Sequence, residues 1–404
     1  MRTVIKSSRI YTEDGVVSGN VIMEDGIISH VNGEVRHDDK VLDFGAMRVI
    51  PGIFDTHNHG THGYSLLSIE EDRREKYIKG FLKGCASQGV TSVFPTCTTD
   101  MLEAVYKVSE MENDGAEIVG IQSEGPWRNR VGEKGIKPGW PEVSVETAEK
   151  MYNDAGGKLS LVALSPEIPG IQKVIDYFRS KGVLLAFAHS DDTCAEAKAH
   201  LANGDFAVVT HIMNAMTGLH HRDVGVAGAC LLDDSLYYEI ICDGRHLSLE
   251  MIEILFRIQD YSKFILVSDC SCMCGAPVGE YKGYNNYVHM GMTLNVTEEG
   301  FIYTNTGRIL GSTQPVIYDI GLLVEKLNIP LETVVKMSSL NPALLYGIAD
   351  KKGSLKIGKD ADLVIMDDDY KAVQTYVRGK KVYDVDTDKD LFNPEFLDRM
   401  KLEK

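Results

Sequence analysis

Apolar residues recur along the chain in short, nearly unalternating runs at 49–54, 90–95, 118–122, 159–164, 183–188, 206–210, 237–241 and 264–267. Runs of this length without polar alternation mark strands covered on both faces, as in a parallel sheet. Between them lie amphipathic stretches with the helical period, among them 70–88, 143–155, 171–181 and 249–259. Eight such strand–helix units within 49–348 predict an α/β chain whose main domain is a (β/α)8 TIM barrel. The two ends keep a different rhythm. Runs 3–11, 16–23 and 27–31 are separated by Glu13-Asp14-Gly15 and Asp25-Gly26, which are hairpin signals. A similar β-pattern returns at 353–367 and 371–384. Neither end carries a core of its own, so 1–48 and 349–385 are expected to join as one small β-sandwich domain. Residues 386–404 read as a charged, helical, solvated segment. The tyrosine- and glycine-rich stretch 281–308 reads as a loop excursion over the barrel mouth or a hairpin, followed by helices at 316–327 and 331–338.

The strand ends carry the chemistry. The first run leads into Asp55, His57 and His59; Thr96 and Cys97 follow the second, Glu124 the third and Ser165-Pro166-Glu167 the fourth. His189 follows the fifth, His211 and Asn214 the sixth, Asp243 and His246 the seventh, and Asp269 the eighth. In an extended chain residues i and i+2 point the same way, so His57 and His59 can face one point. Imidazoles and carboxylates are ligands for divalent metals. In a TIM barrel the C-terminal strand ends form the active-site face. One such residue alone reads as a satisfied core polar group, whereas the whole set predicts a metal centre.

Composition narrows the partners. A net charge of −17 disfavours nucleic acid and anionic membrane surfaces. No run reaches the length of a membrane span, and the N-terminus has no signal-peptide pattern. Eight cysteines in 404 residues suggest reduced thiols in a cytoplasmic protein. The spacing of Cys270, Cys272 and Cys274 is too short for a structural zinc site, and they read as small side chains in a tight loop.

The motifs PGIFDTHNHG at 51–60, SEGPW at 123–127, AHSDDT at 188–193, THIMNAM at 210–216, DGRH at 243–246 and LVSDCSCMCG at 266–275 occur in this order. With GRILGS at 307–312 and NPALLYGI at 341–348, they resemble the N-acetylglucosamine-6-phosphate deacetylases of the amidohydrolase superfamily. The resemblance implies a metal-dependent hydrolase that removes acetate from N-acetylglucosamine 6-phosphate. It implies Glu124, His189 and His211 as ligands of the principal divalent metal. His57 and His59 match a pair that suggests a second ion. Asp269 matches the catalytic aspartate. Asn214, Ala215, Arg222 and His246 match positions that hold the sugar phosphate, and some phosphate contacts from a neighbouring subunit imply a homodimer. The ligand set suits zinc first, and also iron, manganese or cobalt. In three places the chain departs from the resemblance. Lys137 stands where relatives carry a substrate-contacting histidine, Arg222 is followed by Asp223-Val224-Gly225, and Ser65 replaces an aspartate. These departures motivate an alternative substrate such as N-acetylgalactosamine 6-phosphate. A catalytically inactive scaffold is disfavoured because every expected ligand is present. His62, His220 and His221 lie near the mouth and read as loop histidines.

Overall fold

The computed structural model describes residues 2–131, 137–282, 293–307, 309 and 311–400. Eight parallel strands form the barrel: Ile53–Asn58, Val90–Pro95, Ile121–Glu124, Leu159–Leu164, Leu184–Phe187, Val208–Val209, Tyr237–Ile240 and Phe264–Leu266. From third to eighth they pair in sequence order, and the first pairs with the second. A bridge between Thr96 and Gln122 links the second to the third, and one between Asn58 and Cys270 closes the ring. Closure is reinforced by Asp269 N–H donating to the His57 carbonyl at 2.8 Å and His59 N–H donating to the Cys270 carbonyl at 2.9 Å. The Asp55 carboxylate, buried at the same seam, accepts from Ser268 Oγ at 2.6 Å and Asn58 Nδ2 at 3.0 Å. Asp55 therefore fastens the first strand to the eighth.

Burial on both faces explains the unalternating runs. Along Leu159–Leu164, Val162 and Leu164 join the large cluster shared with the helices, while Leu161 and Ala163 join a separate small cluster with Ala186, Ala188 and Val208. Both sets lie in dry, packed surroundings, so apolar residues are favoured at every position.

The two chain ends interleave in one sheet, ordered Lys380–Asp384, Ala372–Val377, Leu363–Met366, Arg48–Pro51, Thr3–Thr12, Gly15–Glu24 and Ile27–Val31, with Lys40–Asp43 beside Thr3–Thr12. The sheet folds over on itself: Ile28 at its edge exchanges backbone hydrogen bonds with Lys359 and Gly358 at 2.8 and 2.9 Å. Ile5, Ile10, Val21, Val49, Leu363 and Ile365 fill the space between. Lys352 connects this unit to the barrel. Its Nζ lies 2.7 Å from Glu117 and Asp362 and 3.0 Å from Asp360, with the side chain 7% exposed.

Three sequence expectations need correction. The run 49–54 is two strands, because the chain leaves the small sheet at Pro51 and enters the barrel at Ile53. Gly52 makes the crossing: a Cβ there would lie 2.0 Å from Thr91 Oγ1. Within 118–122 the strand is interrupted at Gly120, packed against Phe94 and Ser160. Finally, the described part of the C-terminal segment is solvated on one side only. Helix Pro394–Met400 buries Phe396 and Met400 against Tyr281, Leu294 and Ile302. Those three belong to an antiparallel sheet of Gly279–Lys282, Thr293–Val296 and Ile302–Thr304, the hairpin alternative for 281–308. Residues 283–292 and 308 of that stretch lie outside the described residues. Among the described residues no helix is long and apolar enough to cross a membrane.

Candidate metal centre

Six side chains from five strand ends meet at the barrel mouth, in two groups: Glu124, His189 and His211, and His57, His59 and Asp269. His189, His211 and Asp269 have positive φ angles of 55°, 28° and 45°. Non-glycine residues rarely adopt this conformation, and where they do it is commonly at functional sites. Here it turns each side chain from the end of its strand into the mouth.

Hydrogen bonds at the far ring nitrogens set the tautomers. His59 Nδ1 lies 3.0 Å from the Thr96 carbonyl and His189 Nδ1 contacts the Arg130 carbonyl, neither of which can donate. Both Nδ1 atoms therefore carry hydrogen. His57 Nδ1 donates in the same way to Glu239 at 3.0 Å, and Glu239 is held in turn by Thr56 Oγ1 at 3.1 Å. In the neutral rings each Nε2 then bears a lone pair. These lone pairs face one another and the carboxylates: His57 to His59 at 3.3 Å, His189 to Glu124 at 2.7 Å, and His59 to Asp269 at 3.4 Å. His211 Nε2 lies 3.1 Å from the same Glu124 oxygen. Lone pairs pointing at carboxylate oxygens repel unless positive charge lies between them. The donor set fits divalent cations.

The electrostatics make the same demand. Burial works against charge on His57, yet Asp269, Glu239 and Glu124 push its pKa up to about 10. Burial likewise opposes charge on His59, and Asp269 and Glu124 raise it to about 9. Asp269 would be raised by burial but is held at about 2 by His57 and His59. In the cation-free state, protons on these imidazoles supply the positive charge that the carboxylates require.

A model of the Amidohydrolase family matches residues 48–385. The chain is 32% identical over 388 residues to the N-acetylglucosamine-6-phosphate deacetylase of Vibrio furnissii, covering 93% of each protein. It belongs to the N-acetylglucosamine-6-phosphate deacetylases of the amidohydrolase family. A solved N-acetylglucosamine-6-phosphate deacetylase from Pasteurella multocida superposes with a TM-score of 0.80 at 25% identity, covering 94% of this chain and 99% of that one. The chain is also 27% identical over 390 residues to an N-acetylgalactosamine-6-phosphate deacetylase of Escherichia coli O157:H7, covering 94% of this chain and 99% of that protein.

In this member of the family the remaining expected residues lie in loops that follow barrel strands. Asn214 and Ala215 lie in the tight turn after His211, where Ala215 has φ 51°. Arg222 is exposed, and Asp223 caps the backbone of Cys194 and Gly225 at 3.1 and 2.9 Å. His246 is fixed through Nδ1 to Asp243 at 2.7 Å. Burial opposes its charge, and Asp243 with Asp269 outweighs burial and raises its pKa. Lys137 pairs with Asp191, which also holds Arg130 at 2.8 Å; residues 134–136 before it lie outside the described residues. Ser165 and Glu167 support the loops: Ser165 donates to the His189 carbonyl at 2.7 Å, and Glu167 accepts from Asp191 N–H at 2.9 Å. His220 and His221 are exposed, their rings tilted by 45° with centroids 4.2 Å apart. His62 instead packs beside Phe392, and burial pushes its pKa down to about 4. All eight cysteines are free. A cavity of about 800 Å³ beside His62, Gln88 and Cys274 contains none of the expected site residues.

Sequence reasoning missed two residues of the centre. Glu239 supports His57 from inside the seventh strand, and a carboxylate within the apolar run YYEII was a legible signal. Arg128, whose Nη1 lies 2.8 Å from Glu124, gave no local signal, since a charged loop residue ordinarily reads as solvated.

Proposed function

We propose that this enzyme hydrolyses the acetamide of N-acetylglucosamine 6-phosphate to glucosamine 6-phosphate and acetate. The observation that carries this reading is the convergence of four imidazoles with Glu124 and Asp269 at the mouth of a barrel in a member of this family. Glu124, His189 and His211 would hold the principal divalent cation, with zinc the first choice, and His57, His59 and Asp269 a second. The cation supplies Lewis acidity that polarises a carbonyl and lowers the pKa of water. Asp269 is ionised at neutral pH and takes a proton from the attacking water. It returns that proton to the amide nitrogen as the carbon–nitrogen bond breaks, so one water is consumed and acetate and a free amine leave. Arg222 and His246, with Asn214 and Ala215, receive the phosphate. The guanidinium supplies paired donors, and His246 a single donor from the ring nitrogen that Asp243 leaves free. Lys137 approaches the substrate from the Asp191 side of the mouth. A homodimer sharing phosphate contacts across subunits and a cytoplasmic location complete the proposal.

The similarity to an N-acetylgalactosamine-6-phosphate deacetylase favours a second reading in which the other epimer is preferred. Acetate release from the two N-acetylated sugar 6-phosphates, compared by kcat/KM, decides between them. A higher value for the gluco epimer is expected; equality or reversal overturns the assignment.

A further inference from the structure

Glu124 lies between the two ligand groups, and its two oxygens face different neighbours. Oε1 is 2.7 Å from His189 and 3.1 Å from His211. Oε2 is 3.4 Å from His59 and accepts from Arg128 Nη1 at 2.8 Å. His57 Nε2 lies farther off, 3.8 Å from Oε1, so the nearer Glu124 oxygen for the His57–His59–Asp269 group is Oε2, which already accepts from the guanidinium.

We propose that Arg128 is a positioning residue that sets the cation stoichiometry of the centre, keeping the Glu124–His189–His211 group as the tight site and the His57–His59–Asp269 group as a weak one. This rests on the metal-dependent reading above. A guanidinium stays charged at any working pH, so its repulsion of a second cation is permanent. The local chain fixes it in place. Arg128 N–H donates to the Pro126 carbonyl at 3.1 Å, and its side chain is only 31% exposed. Gly125, at φ +97°, leaves it room: a Cβ there would come within 3.0 Å of Arg128 Nε. Opposing Arg128 are the charges that favour a second cation, Asp269 at 3.4 Å from His59 and Glu239 at 3.0 Å from His57. The arginine offsets part of the Glu124 charge that such a cation would otherwise meet.

The test is equilibrium dialysis of the chelator-stripped full-length protein against Co²⁺, with bound metal counted by mass spectrometry and followed by cobalt absorption. Wild type should bind one equivalent tightly and the second about 10- to 100-fold more weakly. Arg128→Met should gain about that factor at the second equivalent and so narrow the gap between the two affinities. Adding His59→Asn to Arg128→Met should abolish the gain, placing the extra ion. Two equivalents of equal affinity in wild type overturn the proposal, as does an Arg128→Met protein whose second affinity is unchanged. Should Arg128→Met fail to fold by circular dichroism, the wild-type titration still decides. Wild type that binds no cobalt overturns the metal-dependent reading itself, a different result from two equal sites.

Discussion

Replacing Lys352 by methionine isolates the joint between the small sheet and the barrel. The ammonium is nearly enclosed and lies within 3.0 Å of three carboxylates, Glu117, Asp360 and Asp362. Burial works against its charge, but Asp362 and Glu117 outweigh it and hold the lysine protonated well above its ordinary range. Methionine keeps the apolar stem and removes the charge, stranding carboxylates in a site built around a cation. Breaking a buried pair in this way costs about 3–5 kcal/mol. The loss should depend on pH. Burial already raises the Asp362 pKa despite Lys352, and removing the lysine raises it further. An acid whose folded pKa exceeds its unfolded value costs nothing below the unfolded value and destabilises as pH rises toward the folded one. Lys352→Met should therefore be most damaging at pH 8 and markedly milder at pH 5, and Asp362→Asn should recover part of the loss at pH 8. Urea unfolding followed by circular dichroism at fixed cation content measures each value. A variant within about 1 kcal/mol of wild type at pH 8, below the range expected for a broken buried pair, would mean that Lys352 does not hold the joint. A loss that grows on acidification would mean that stranded carboxylate charge is not its cause.

Three other perturbations address the site. Asp269→Asn should keep the cation at Glu124, His189 and His211 but lower kcat by about 10²- to 10⁴-fold, the usual worth of a general base, as single-turnover acetate release would show. Arg222→Leu should raise KM for the sugar phosphate by about 10- to 100-fold, while leaving rates on the unphosphorylated sugar unchanged in the same assay. Because His57 and His59 hold protons up to about pH 10 and about pH 9 without a cation, binding at that group must displace them. Affinity there should rise with pH through the neutral range, with proton release visible as buffer-dependent heat in titration calorimetry.

Much of this was legible in the sequence because burial on two faces leaves a plain trace. The run 159–164 coincides with a strand, as does 90–95, and six of the residues singled out at or just beyond the strand ends converge at the mouth. Where the reading fell short, the missing information was non-local. Pro51-Gly52 looks continuous with the strand around it, and only contact with Thr91 and the Asp362 carbonyl shows that the chain changes sheets there. The charged tail reads as solvated because Phe396 and Met400 find their apolar partners about a hundred residues earlier in the chain. His62 resembles a mouth histidine in sequence but is pinned by the Cys274 carbonyl and packed beside Phe392. Asp55, the carboxylate nearest the His57–His59 pair in sequence, serves barrel closure, while Glu124 and Asp269 come from distant strands.

The most direct test of the central claim is acetate release by the cation-loaded protein from N-acetylglucosamine 6-phosphate, run beside unphosphorylated N-acetylglucosamine and a chelator-stripped sample. Rapid release from the phosphate ester, slow release from the free sugar and loss of both on stripping are the predicted results. Turnover that survives stripping, or that ignores the phosphate, would contradict the account.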